Sequence, residues 1–176
     1  MQRLLKWSLL IVSGFVFVNI LFKVIDYKLN SYENLSSVGA ISLKERERQL
    51  DCLSKNIYYE AATEPFEGKV AVAQVTLNRS ESGLFPKDIC KVVYQKNVVY
   101  DKVICQFSWF CETKSLTKPI YAKHYQESEA VAKKVLLEGF RLDGLKDSLY
   151  YHADYVNPRW GKERIMQIGR HIFYKG

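Results

Sequence analysis

Apolar and polar positions alternate in several distinct ways along the chain. Trp7 to Phe22 (WSLLIVSGFVFVNILF) has no charge, and its only small or polar breaks are Ser8, Ser13, Gly14 and Asn19. Such a run is slightly shorter than the ~17–25 residues that cross a bilayer; extension to Ile25, with Lys23 snorkelling, restores the length. Arg3 and Lys6 precede it, whereas Lys23, Asp26, Lys28 and Glu33 nearly cancel after it. The positive-inside rule then puts residues 1–6 in the cytoplasm and everything beyond residue 25 outside. No small-x-small cleavage site follows, so an uncleaved signal-anchor over residues 7–25 is expected ahead of a cleaved signal peptide or a buried helix. Residues 26–42, with the aperiodic LNSYENLSSVGAIS, read as a linker to a folded domain over residues 43–176.

Inside that domain the period changes. Ser42, with Glu45 three residues on, resembles a capping box and starts a helix from Leu43 to Ala61. Gln49, Leu50, Leu53, Ile57 and Glu60 share one stripe of it. Thr63 and Pro65 interrupt the pattern and restart it. Val70, Val72, Val75, Leu77 and the alanines between them predict a second helix buried nearly all round. Residues 78–86 read as a loop, 87–95 as a short helix and 96–119 as irregular. A further helix runs from Ile120 to Glu138 and stops at Gly139. YYHADYV (150–156) and RHIFYKG (170–176) alternate as strands do. The fold class expected is α+β, mainly helical with a small antiparallel β element.

Composition adds two constraints. The 176 residues, 48% of them hydrophobic, suit one domain with an appendage. The net charge of +7 suits an anionic polymer, lipid or nucleic acid, and the scattered lysines do not choose among them. Four cysteines (Cys52, Cys90, Cys105, Cys111) in an exported domain suggest two disulfides, with Cys105 and Cys111 near enough for a local staple and the pairing left open. No C-x-x-C occurs, and His124, His152 and His171 lack metal-ligand spacing, so neither metal nor cofactor is expected. No G-x-S-x-G or Walker motif is present.

The candidate chemistry centres on Glu60. Glu64 and Glu67 suit the positive end of a new helix. Glu60 instead sits at a helix C-terminus after Ile57, Tyr58 and Tyr59, where dipole and desolvation both raise a carboxyl's pKa, as a general acid requires. The structural alternative is a slightly misplaced surface glutamate. Gln106, Ser108 and Trp109 fall inside the CQFSWFC loop. Tyr150, Tyr151, His152, Asp154 and Tyr155 decorate a strand, either as core or as sugar contacts. Cys105 with His152 as a nucleophilic pair is the weaker reading of that cysteine.

CLSKNIYYEAATEPFEGKVAVAQVTLNR resembles the opening motif of the SleB/CwlJ-type cell wall hydrolases. FPKDICKVVYQ, CQFSWFC, YYHADYVNPRW and IGRHIFYKG resemble its later blocks, in order, so the likeness spans about residues 50–176. The resemblance implies a lysozyme-like α+β fold and action on the glycan strands of peptidoglycan. It places the catalytic glutamate, the first of E-A-R-G-E, on Glu60 and the second on Glu64. Ala62 and Thr63 stand where the family has Arg-Gly, and Glu112 and Thr113 where it has Asp-Gly. The expected reaction is lytic transglycosylation at the MurNAc–GlcNAc bond, with Glu60 as acid and then base. Expected substrate contacts are Glu64, Gln106, Ser108, Trp109, Tyr151, His152 and Tyr155. Asp101, Glu112 and Asp154 would be partners if water attacks instead. The rivals are a peptidoglycan amidase or peptidase, and a catalytically impaired glycan-binding membrane protein. The expected partners are the glycan and, through the N-terminal helix, the bilayer, with no nucleic acid and a monomeric state. Bacterial remodelling and phage lysis both fit.

Overall fold

The computed structural model describes Gly14, residues 18–26, Lys28 and residues 42–176. The chain divides into two units, Met1–Leu43 and Lys44–Gly176. In the first, residues 18–26 are helical, with Val18, Ile20, Leu21, Phe22, Val24 and Ile25 exposed. Among the described residues no helix is long and apolar enough to cross a membrane. The span expected over residues 7–25 lies largely outside the described residues.

The second unit is built around one buried helix. Helix α1 (Leu43–Ala61) buries Leu53 and Ile57 on the stripe read from its spacing. Pro65, extended at φ −61° and ψ 168°, opens α2 (Phe66–Glu81), consistent with proline's fixed φ at a helix start. Every residue from Gly68 to Arg79 is buried. Helix α2 runs on through Asn78–Glu81, which the sequence pattern gave to a loop. Helix α3 (Ile89–Val93) is capped by Asp88, whose Oδ1 accepts from Lys91 N at 2.8 Å. The Cys52–Cys90 disulfide ties α1 to α3, and Arg48 bridges Glu45 and Asp88 beside it.

Residues 96–119 are more regular than the pattern suggested. Strands β1 (Lys96–Val99) and β2 (Lys102–Cys105) form an antiparallel hairpin closed by Tyr100 and Asp101 at φ 48° and 61°. A 3₁₀ turn (Ser108–Phe110) and the short α4 (Thr113–Leu116) follow. Helix α5 (Ala122–Leu136) packs on α2. A three-stranded antiparallel sheet then closes the chain, in the order β3 (Ser148–Ala153), β5 (His171–Lys175), β4 (Arg164–Ile168).

Polar residues on α2 fix where that sheet begins. Gln74 holds Leu142 by both its N–H and its C=O, at 2.7 and 3.1 Å. Asn78 donates to Leu145 O and Ser148 O, and Arg79 Nε to Leu149 O, at 2.8–2.9 Å. These side chains are buried yet satisfied, which removes the desolvation penalty of an unpaired group. On the same face, Ala71 and Val75 pack with Leu145 and with Phe173 of β5 in a second apolar cluster. The result is that β3, and with it Tyr150 and Tyr151, is held against the C-terminal half of α2.

Candidate active site

Glu60 ends up where the last turn of α1 meets β3. Its Oε2 accepts a hydrogen bond from Tyr151 Oη at 3.0 Å. Burial pushes the Glu60 carboxyl up from 4.5 to about 7. The Tyr151 hydroxyl and the Arg79 charge pull it back, and the charge of Glu112 pushes it further up. Desolvation wins because a carboxylate loses more hydration than one neutral donor and one shared cation return. Burial and Glu60 together raise Tyr151 well above its ordinary value, so the hydroxyl stays a donor.

Arg79 is the buried cation of the site. Its guanidinium lies over the rings of Phe107 (5.1 Å) and Phe85 (5.3 Å). With the Gln106 amide oxygen turned toward it, Gln106 accepts from Nη1 at 3.2 Å and Nη2 at 3.3 Å. Burial lowers its pKa and the neighbouring tyrosines and Glu60 raise it; an arginine in these surroundings stays charged.

A cleft of about 200 Å³ opens over this group, lined by Glu60, Arg79, Gln106, Phe107, Ser108, Tyr150, Tyr151 and Trp160. The Cys105–Cys111 disulfide closes the loop that carries Gln106, Phe107 and Ser108. Both disulfides are therefore formed, and the local staple forms one wall of the cleft. A larger groove of about 680 Å³ lies between α2 and residues 141–147. Its buried amides Gln74 and Asn78 are already committed to backbone groups of Leu142, Leu145 and Ser148.

The structure brings Glu60, Gln106, Ser108 and Tyr151 of the expected site residues together. The other four are elsewhere. Trp109, expected at the sugar, is a core residue only 4% exposed. Its ring stacks on Tyr59 at 4.5 Å, and its Nε1 donates to Asn56 Oδ1 at 3.0 Å. The 3₁₀ turn points the indole inward because Asn56 offers the acceptor that a buried indole N–H needs. Glu64 does not line the cleft either: it is buried and its Oε2 accepts from Arg170 N at 3.0 Å, pinning the β4–β5 turn to the start of α2. Tyr155 is 77% exposed beneath Arg170. His152 is held by Tyr174 Oη and Ala153 O, both at 2.8 Å. Of the fallback carboxylates, Asp154 pairs with Arg170, and Asp101 sits at the β1–β2 turn. Among the described residues no cluster of potential metal ligands occurs.

Arg79, Phe107 and Trp160 were missed as site residues. At the sequence level Arg79 is the end of LNR, an ordinary basic residue near a helix C-terminus. Only its burial at the cleft that Glu60 also lines distinguishes it.

A protein-family model described as Cell Wall Hydrolase matches residues 63–174. The match begins just after Glu60 and does not include it. Curated relatives include the spore cortex-lytic enzyme of Bacillus subtilis, 30% identical over 129 residues, covering 69% of this chain and 35% of the relative. The enzyme of that name from Oceanobacillus iheyensis is 29% identical over 156 residues, covering 83% and 49%. The chain thus spans half or less of the length of these relatives. Among solved structures, the catalytic domain of the Bacillus cereus SleB protein aligns with a TM-score of 0.55 at 23% identity, over 78% of this chain and 95% of that one. The catalytic domain of the germination-specific lytic transglycosylase SleB from Bacillus anthracis gives 0.54 at 24% identity, over 78% and 98%. At these identities the two structures bear on the fold alone.

Proposed function

The chain belongs to the SleB/CwlJ-type cell wall hydrolase family, and on that premise we propose that it cleaves the MurNAc–GlcNAc bond of peptidoglycan as a lytic transglycosylase. The observation that carries this reading is the buried Glu60 carboxyl, pushed up to about 7 at the floor of an open cleft. Near neutral pH a large fraction of it holds a proton that it can give away.

Glu60 protonates the glycosidic oxygen, and the bond from that oxygen to C1 of the muramyl ring breaks. The Glu60 carboxylate so formed takes the proton of the same ring's C6 hydroxyl as O6 bonds to C1. The 1,6-anhydro ring closes, and the acid is regenerated without net proton change. The nucleophile is already part of the substrate, which supplies proximity that a second carboxylate would otherwise have to provide. Consistent with this, Glu60 is the one carboxylate among the described residues lining the cleft. Burial keeps the transient carboxylate basic enough to take the C6 proton, while Tyr151 and Arg79 lower the cost of forming it. Glu112, whose charge reaches Glu60, is the group that would activate water in the hydrolytic alternative.

Mass spectrometry of products from purified sacculi separates the readings. Anhydro-muramyl ends support transglycosylation, reducing ends hydrolysis and cut peptides an amidase, while no release would leave a glycan-binding role. Glu60→Gln should lower release at least ~10²-fold; near-normal release would remove Glu60 as the acid.

Residues 7–25 act in this reading as a single-pass inner-membrane anchor, N-terminus in the cytoplasm and residues 43–176 facing the wall. The uncharged run, the basic residues before it and the exposed apolar side chains over 18–25 support it. Full-length protein released by a carbonate wash, or shielded from protease added to spheroplasts, would overturn it.

A further inference from the structure

We propose that Trp160 is the stacking platform for a muramyl ring, and that Lys162 beside it reads the lactyl carboxylate of a muramyl ring that carries no stem peptide. The inference rests on the peptidoglycan reading above and assigns part of its specificity to residues outside the acid and its donors.

The loop between β3 and β4 carries the sequence NPRWGK. Gly161 adopts φ +61°, a conformation that side chains disfavour, and no atom would meet a Cβ there. Backbone geometry rather than space therefore calls for glycine, and the turn sends Trp160 back over the sheet. Three rings meet the indole at steep angles: His152 at 5.6 Å and 83°, Tyr174 at 5.9 Å and 77°, and Tyr150 at 6.2 Å and 60°. His152 is itself fixed. Ala153 O can only accept, so Nδ1 carries a proton toward it, and Nε2 is hydrogen-bonded to Tyr174 Oη.

An indole held this way has lost its rotamer freedom before any ligand arrives, so little ordering cost remains for binding. It is nevertheless 44% exposed and lines the same cleft as Glu60. A core tryptophan in this chain looks different: Trp109 is buried and its N–H is bonded. A large aromatic face kept rigid and left open suits the apolar C–H face of a pyranose ring.

The charge adds selectivity. Lys162 Nζ lies 3.7 Å from the centre of the Tyr150 ring, a cation–π contact that parks the ammonium at a residue lining the cleft. Of the two sugars in the glycan strand, only the muramyl ring carries a lactyl ether; its carboxyl is an amide where a stem peptide is attached and a free carboxylate where the peptide has been removed. A ring stacked on Trp160 can turn that group toward Lys162, whereas an N-acetylglucosamine ring offers nothing to the cation.

The test uses the full chain bearing Glu60→Gln in detergent micelles, titrated with peptide-free glycan oligomers of alternating GlcNAc and MurNAc, or with neutral chitotetraose. The indole N–H of Trp160 should shift on both titrations while that of buried Trp109 stays in place. Trp160→Ala should weaken both ligands about tenfold. Lys162→Gln should weaken only the muramyl oligomer, by about threefold, with an effect that salt removes. An unmoved Trp160 resonance on binding overturns the platform, and this holds even if Trp160→Ala does not fold. Equal losses for both ligands in Lys162→Gln overturn the lactyl contact. If the parent chain cuts sacculi while these tests fail, only this inference falls. If it neither cuts nor binds glycan, the proposed function falls with it.

Discussion

Glu60→Gln should stabilise the protein at neutral pH while abolishing its activity. The folded carboxyl holds its proton up to about 7, whereas in the unfolded chain it ionises near 4.5. Below pH 4.5 both states are protonated and the residue contributes no pH dependence. Between 4.5 and about 7 the unfolded state releases a proton that the native state keeps, so native stability falls as pH rises. At about 1.4 kcal/mol per pH unit, the interval corresponds to about 3 kcal/mol lost by pH 8. Glutamine is nearly isosteric, does not titrate and still accepts from Tyr151, so the variant escapes that loss. Its stability relative to the parent should be near zero at pH 4 and grow to about 3 kcal/mol at pH 8, or roughly 10 °C in Tm for a domain of this size. Reversible denaturant unfolding across that range, with disulfides intact, measures it. A difference that does not change with pH, or a variant less stable at pH 8, would refute the claim that Glu60 is buried at a cost to the fold.

Tyr151→Phe removes a donor that favours the charged form of Glu60, so the alkaline limb of kcat/KM, expected near pH 7, should move upward; a pH-rate profile on soluble glycan reads it. Glu64→Ala should cost about 1–3 kcal/mol through the unpaired Arg170 N–H, yet lower turnover far less than Glu60→Gln; equal losses of turnover would make Glu64 part of the chemistry. Gly169→Ala should also destabilise, since its φ of +55° and the Glu64 carboxylate leave no place for a Cβ; calorimetry decides. Replacing Cys52 and Cys90 by alanine should cost ~2–5 kcal/mol because that pair joins α1 to α3 in the core. Replacing Cys105 and Cys111 should chiefly raise KM by loosening the Gln106–Ser108 wall, and alkylation of the denatured, unreduced parent should find no free thiol.

The sequence by itself determined the parts whose burial follows from local period. The α1 stripe through Leu53 and Ile57 ran to the right end, which is why Glu60 was suspect before any geometry was known. The apolar and small residues of α2 predicted burial all round, and Gly68–Arg79 are buried. Strands β3 and β5 were legible from their alternation. Strand β4 was not: it is an edge strand whose ladder slips between Arg164 and Met166, so its period of two is broken. The β1–β2 hairpin was hidden for two reasons. Strand β1 is exposed throughout and β2 nearly so, which erases the pattern, and the turn uses Tyr100-Asp101 at positive φ where asparagine and glycine are the usual signal. The site divides in the same way. Glu60 announced itself through its misplaced charge. The fates of Trp109, Glu64, Arg79 and Trp160 were decided only by tertiary structure, because each depended on a partner distant in sequence: Asn56 for Trp109, Arg170 for Glu64, Leu149 and Phe107 for Arg79, and three rings from two strands for Trp160. Local sequence fixes a side chain's period and propensity, but whether an aromatic or a charge faces core or cleft depends on which distant group satisfies it.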